Sequence, residues 1–146
     1  MKGWGVKQDS VEAVKWFRKS AEQGNARGQG ALGACYMKGW SVKQDYAEAV
    51  KWCRKSAEQG NALGQAGLGT CYLQGFCVKQ DYAEAVNWFR KSAEQGNADG
   101  QASLGACYLQ GWGVKQDFAE AMKWIRKAAA QGQPNAKAFL QQMENN

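Results

Sequence analysis

Apolar and small side chains recur at Ala49, Trp52, Cys53, Ser56 and Ala57, the i, i+3, i+4, i+7, i+8 stripe of an amphipathic helix. Lys51, Arg54, Lys55 and Glu58 fall on its wet side. Asp45 stands before the stripe with Glu48 three residues on, an aspartate form of the capping box, and Gly60 is a C-terminal stop. The pattern predicts a helix over about 46–59. Upstream, Gly28, Leu32 and Tyr36 share one face of a helix from about Ala26 to Lys38, with Asn25 as N-cap and Gly39 as terminator. Gly33 lies beside that face. A glycine inside a helix costs about 1 kcal/mol relative to alanine, so its return at Gly69 and Gly105 predicts a second helix backbone passing close by.

The two helices are joined by a phrase the chain writes four times, 36 residues apart: GWGVKQD from Gly3, GWSVKQD from Gly39, GFCVKQD from Gly75 and GWGVKQD from Gly111. A fixed period of this length means stacked supersecondary units. Each unit is a first helix, a corner and a second helix, and neither helix buries its stripe alone. Stacking the units makes one core. Residues 25–60, 61–96 and 97–132 are full units, 1–24 is a partial N-terminal unit, and 133–146 supplies a C-terminal capping helix from about Asn135 to Glu144. The corner reads as a glycine stop, an aromatic and a valine that tuck inward, and an aspartate cap at Asp9, Asp45, Asp81 and Asp117. Trp4, Trp40, Phe76 and Trp112 are expected as core anchors. Ser41 and Cys77 replace the second corner glycine, so either that position does not need a positive φ or those turns are strained.

Leu32, Gly33, Tyr36, Gly39, Val42, Asp45, Ala49, Trp52, Ser56, Ala57 and Gly60, repeated from Leu68 and from Leu104, resemble the Sel-one-like repeat family, a relative of the tetratricopeptide solenoids. The resemblance covers nearly the whole chain. It implies an all-α fold, a right-handed α/α superhelical solenoid whose first helices line the concave side, and a role as adaptor or scaffold for other proteins. Gly28, Gly64 and Gly100 depart from the family's usual alanine, which predicts a looser start to each first helix. Some cysteine-rich relatives are linked to penicillin binding. The S-x-x-K nucleophile of penicillin-binding enzymes is absent here, because Ser20, Ser56 and Ser92 are each followed by Ala-Glu-Gln.

Composition narrows the function further. The chain has 146 residues, 45% hydrophobic with seven tryptophans and one proline, which fits a folded helical domain. It contains no histidine, so every Ser/His/Asp or Cys/His arrangement is excluded and the commonest metal ligand is missing. No P-loop or CxxC spacing occurs, and the carboxylates read as caps and their helix-start partners Glu12, Glu48, Glu84 and Glu120. The expectation is a non-enzyme with no cofactor and no metal. The formal charge is +6; residues 1–60 carry 11 basic and 6 acidic side chains, residues 61–146 carry 8 and 7. Lysines alternate with glutamates on helix surfaces, which favours a solvated face over nucleic-acid binding. No apolar run reaches the length of a membrane span and the first residues are no signal peptide. A soluble chain in a reducing, cytoplasmic compartment is expected, with export after removal of a leader as the alternative. Of five cysteines, Cys35, Cys71 and Cys107 share one column, where stacked helices about 8–10 Å apart exceed the reach of a disulfide. Buried, reduced thiols are the expectation.

The units differ on one stripe of the first helix, facing away from Leu32 and Tyr36. It reads Arg27, Ala31, Ala34, Lys38, then Leu63, Gly67, Thr70, Gln74, then Asp99, Ser103, Ala106, Gln110. By the family geometry this stripe lines the concave groove and would receive a protein or peptide; the alternative is unconstrained surface. At the N-terminal edge Val14, Trp16 and Phe17 are expected to form an uncovered apolar surface, making a homo-oligomer or end-to-end stack, or a fragment of a longer repeat array, the structural alternative.

Overall fold

The computed structural model describes residues 2–146, with side chains from Asp9 onward. It is all-helical, and the described residues contain no strand: α1 (Lys2–Glu22), α2 (Ala26–Lys38), α3 (Tyr46–Glu58), α4 (Ala62–Gln74), α5 (Tyr82–Glu94), α6 (Ala98–Gln110), α7 (Phe118–Ala130) and α8 (Pro134–Glu144). The pairs α2/α3, α4/α5 and α6/α7 are the predicted hairpins, and the first helices α2, α4 and α6 also pack side by side. The result is an α/α solenoid.

Local chemistry sets the helix ends. The Asn25 side chain accepts from Gly28 N at 2.9 Å, and Gly39 closes α2 in the left-handed region at φ 71°. Asp45 accepts from Glu48 N at 3.1 Å. The reciprocal half of the capping box is not formed. Glu48 accepts instead from the Trp52 indole N–H at 3.0 Å, while Asp45 N donates to Tyr36 O at 2.9 Å. That bond recurs at Asp81 and Asp117, to Tyr72 O and Tyr108 O. Gln44, Gln80 and Gln116 donate from Nε2 to Met37 O, Leu73 O and Leu109 O at 2.7–2.8 Å. Each corner is therefore pinned to the last carbonyls of its own first helix, which explains the recurring Gln-Asp. The first copy, Gly3 to Asp9, is helical within α1 rather than a turn.

Leu32, Leu68 and Leu104 are fully buried and centre successive layers with Val14, Trp52, Phe89 and Trp124. The expectation for the corner aromatics needs correction. Trp40 is 57% exposed, Phe76 and Trp112 are half-buried, and the side chain of Trp4 lies outside those described. Phe76 stacks on Tyr46 with ring centroids 4.0 Å apart, and Trp112 on Tyr82 at 5.8 Å. Each corner ring thus covers the first residue of the preceding second helix. For Trp40 the residue at the register of Tyr46 and Tyr82 is Ser10, inside α1, which has no ring; the indole faces solvent with Lys38 over it. Ser41 and Cys77 take φ of 57° and 53°, and Gly113 takes 71°. The corner does require the left-handed region, and the two non-glycine turns carry its strain.

The glycines that depart from the family pattern do not loosen α2, α4 or α6. Gly28, Gly64 and Gly100 are buried against Ser20, Ser56 and Ser92; a Cβ on Gly28 or Gly100 would lie 2.5 Å from the serine Oγ. In the last pair both partners change together: Ala128 faces Ala136. The serine side chain and the backbone N after it leave no room for a Cβ on these glycines, so their flexibility is absorbed by packing. The backbone approach expected at Gly33, Gly69 and Gly105 is present at Gly33 and Gly105, whereas Gly69 faces the Phe89 ring. At the three positions a Cβ would meet Cys53 Sγ at 2.5 Å, the Phe89 ring at 2.6 Å and Ile125 Cγ1 at 2.7 Å, with backbone atoms of α3 and α7 within 3.3 Å of the first and third.

Candidate interaction surface

The wet side of the second helices is less uniform than predicted. Arg54 is half-buried and donates to the Tyr72 hydroxyl at 3.2 Å, as Arg18 does to Tyr36 at 2.6 Å and Arg90 to Tyr108 at 2.7 Å. The bond to Tyr36 raises the pKa of Arg18, and each guanidinium also lies 5.6–5.7 Å from the tyrosine ring centroid. These arginines tie each second helix to the next first helix. Lys51 and Lys55 lie over Trp52, Lys91 over Trp88, and Lys123 and Lys127 over Trp124. Much of the positive charge is thereby spread along an aromatic-backed ridge of second helices rather than gathered in a cleft.

On the opposite side the first helices form a groove of about 280 Å³. Ala34 and Lys38 of α2, Leu63, Gly67 and Thr70 of α4, and Asp99 and Ser103 of α6 all line it. The remaining residues of the stripe lie elsewhere. Arg27 and Ala31 line a second cavity at the N-terminal edge, shared with Leu63, and Gln74, Ala106 and Gln110 line neither. The split follows from helix geometry. Positions i to i+11 share one face but extend about 16 Å along the axis, and the groove crosses the helices obliquely, taking the C-terminal half of the stripe from α2 and the N-terminal half from α6. The groove also uses residues that the variable positions did not reveal: Gly30, Met37, Cys53 and Ala66 on its floor, and Gln133 and Asn135 at the start of α8. Of these, Gly30 and Ala66 belong to a small-residue column that continues at Ala102, a signal present in the repeats. Lys38 marks one end. Asp99 marks the other, accepting from Gln133 Nε2 at 3.2 Å.

At the N-terminal edge the three predicted residues separate. Val14 is buried, at 7% exposure, against α2 and Trp52, so it does not belong to an uncovered surface. Phe17 is half-buried, and Trp16 is 67% exposed. The tryptophans at the matching register, Trp52 and Trp124, are only 6% exposed, packed in the clusters of Leu32 and Leu104.

The cysteines are all free. Cys35, Cys53, Cys71 and Cys107 are buried, whereas Cys77, expected inside, is exposed because its corner position points outward. Burial raises the Cys53 thiol to about 12 and Cys71 and Cys107 to about 11, and shifts Cys35 upward. Protonated, buried thiols are poor nucleophiles. In the native chain at neutral pH we expect Ellman's reagent to label Cys77 rapidly and the other four only as the chain opens. A raised thiol pKa stabilises the fold below the unfolded value and is lost above it. Melting temperature should therefore fall as pH rises from about 9 towards 12, in scans under reducing conditions. No group of three or more metal-ligating side chains occurs among the described residues, and no helix there is long and apolar enough to cross a membrane.

Comparison with known proteins places this architecture. The Sel1 repeat model matches residues 1–25, 26–61, 62–97 and 98–133. A crystal structure of c5321, a protective antigen of uropathogenic Escherichia coli displaying an SLR fold, is 48% identical over 81% of this chain with a TM-score of 0.71. A Sel1 repeat protein of Oxalobacter formigenes is 36% identical over 86%, with a TM-score of 0.76. Cysteine-rich protein B of Helicobacter pylori is 25% identical over 92% of this chain and 96% of its own length, with a TM-score of 0.66. The match spans 25% of the length of the first and 50% of the second. No curated protein shows significant similarity to the chain. With four matches that together run from residue 1 to 133, this chain belongs to the Sel1 repeat family.

Proposed function

We propose that the chain is a non-catalytic interaction module that holds an extended segment of a partner protein in the groove across α2, α4 and α6. Sel1-repeat proteins generally mediate protein–protein interaction, and the family is typically a non-catalytic scaffold. The observation that carries the reading is the convergence of variable positions from three successive units on one groove with a floor of glycine and alanine. Small floor residues let a backbone approach closely, and the rim supplies specificity. Lys38 at one end and Asp99 at the other give the groove a polarity. A bound segment would place acidic side chains towards α2 and basic ones towards α6.

A photo-crosslinking residue at Thr70 and a control at Lys55 on the ridge test the site. Partner peptides should be captured from the first position and not the second. Against the partner so identified, Lys38→Glu combined with Thr70→Arg should weaken binding about tenfold or more, the loss expected of roughly 1.4 kcal/mol. The melting temperature should stay unchanged, since neither side chain is in the core. Capture at Lys55 alone, or unaltered affinity, would move the interface elsewhere. Self-association through the N-terminal edge is the second reading, favoured by the exposure of Trp16. A concentration-dependent mass in light scattering, abolished by Trp16→Ala, would support it.

A further inference from the structure

We infer that the groove across α2, α4 and α6 selects one class of partner segment: about seven extended residues with an acidic side chain at one end, a large apolar one in the middle and a basic one at the other. This rests on the proposed role of the groove and adds to it the spacing and the central anchor of the occupant. At the α2 end Lys38 is exposed, with Nζ 5.2 Å from the centroid of the Trp40 ring. It takes part in none of the ion pairs among the described residues. At the α6 end Asp99 is also exposed and outside those pairs, and its carboxylate accepts from the neutral Gln133 amide at 3.2 Å. Each end therefore presents a charge that meets no opposite charge there. Between them the groove is apolar. Leu63 is half-buried on the first turn of α4, and Met37 Cε reaches over α4, 3.9 Å from where Gly67 would carry a Cβ. The register of Leu63 is Arg27 in α2 and Asp99 in α6, so a large apolar residue at this register belongs to the middle helix alone.

The fold sets the spacing. Asp99 stands at the register of Arg27, so it and Lys38 are offset by about 16 Å along the helix axis, at about 1.5 Å per residue. Two steps between neighbouring first helices, of about 8–10 Å each, separate them sideways. The diagonal is about 24 Å, which extended backbone at about 3.3 Å per residue covers in roughly seven residues. An α-helix would need about sixteen for the same span. The spacing of the two charges in a bound sequence therefore reports its conformation. Extended backbone is favoured by Ser103 and Asn135, which line the α6 end with side chains that make no hydrogen bond among the described residues. They suit the free N–H and C=O groups of an extended main chain, whereas a helix has already paired its own. Reversing the chain direction keeps all three contacts, so the order along the sequence is free and the spacing is not.

The probe is a library of random segments, about twenty residues long to admit either spacing, displayed on phage and panned on the full chain under reducing conditions. Enriched segments are expected to carry an acidic and a basic residue about six to eight positions apart, with a large apolar residue between them. A capped peptide of an enriched sequence, titrated by fluorescence anisotropy, should bind one-to-one. Serine in place of its apolar residue should weaken binding about tenfold or more. Lys38→Glu in the chain should do the same, and lysine in place of the peptide's acidic residue should restore binding to that variant alone. Panning on Asp99→Asn should enrich segments without the basic residue. Lys38 and Asp99 are exposed, so both variants keep the fold, as circular dichroism would verify. The proposal is overturned by no enrichment, by enriched segments that lack the charge pair or space it about sixteen positions apart, or by indifference to Lys38→Glu. If such segments still crosslink from Thr70, the groove keeps its role and only the proposed occupant fails. Crosslinking from Lys55 alone removes both.

Discussion

Replacing Phe89 with alanine is expected to destabilise the chain by about 3–5 kcal/mol, the usual cost of emptying a fully buried aromatic site. The ring lies among Ala85, Val86, Leu104 and Trp124, and joins α5 to both flanking layers. Its neighbour makes the result diagnostic. Gly69→Ala alone drives a methyl into the ring and should cost about 1–3 kcal/mol, even though alanine gains about 1 kcal/mol of helix propensity. In the Phe89→Ala background the same methyl enters vacated space. The double variant should therefore be more stable than the sum of the single effects predicts, by about 1 kcal/mol or more, in urea unfolding followed by circular dichroism. Additivity within about 0.5 kcal/mol would show that ring and glycine do not compete for one volume.

Gly113→Ala should be the most damaging single change in a corner. Two effects add. The residue has φ 71°, where a Cβ costs about 1–2 kcal/mol. That Cβ would also collide with the backbone carbonyl of Tyr82, which is fixed at the start of α5 and cannot swing aside as a side chain would. Together these give about 2–4 kcal/mol. Ser41→Ala is the matched control. Ser41 already has a Cβ at φ 57°, so exchanging its hydroxyl for hydrogen should change stability by less than about 0.5 kcal/mol. A thermal melt of the two variants beside the parent decides the matter. Equal, small effects would mean that the Gly113 corner can move away from α5.

The fold was legible because its determinants are local and repeated. Asn25, Asp45 and Gly39 are read as caps from sequence and act as caps in space. The limits lie where a residue's partner is distant. Trp40 matches the other corner aromatics in its own unit, and the ring it lacks as a partner would stand at Ser10, some thirty residues earlier. Arg54 reads as solvated until Tyr72 is placed over it. Val14 reads as exposed on the N-terminal edge, yet α2 covers it. Gly28 is explained only by Ser20, on a different helix. The interaction stripe was legible as a direction on the first helix. Its width was not, because the floor contributed by Cys53 comes from a second helix that the periodicity of a first helix cannot report.

The serine–glycine and alanine–alanine couples between successive hairpins bear on how such a chain can be shortened by recombination. Excising residues 61–96 would bring Ser56 against Gly100, a matched couple, and the shorter chain would close without adjustment. Excising 97–132 would set Ser92 against Ala136, a mismatched couple at a junction where glycine is needed. Units that look interchangeable in sequence are therefore keyed to their neighbours. The α8 helix is matched to the alanine of the unit before it, so loss of a unit is expected to cost less in the interior than at that boundary.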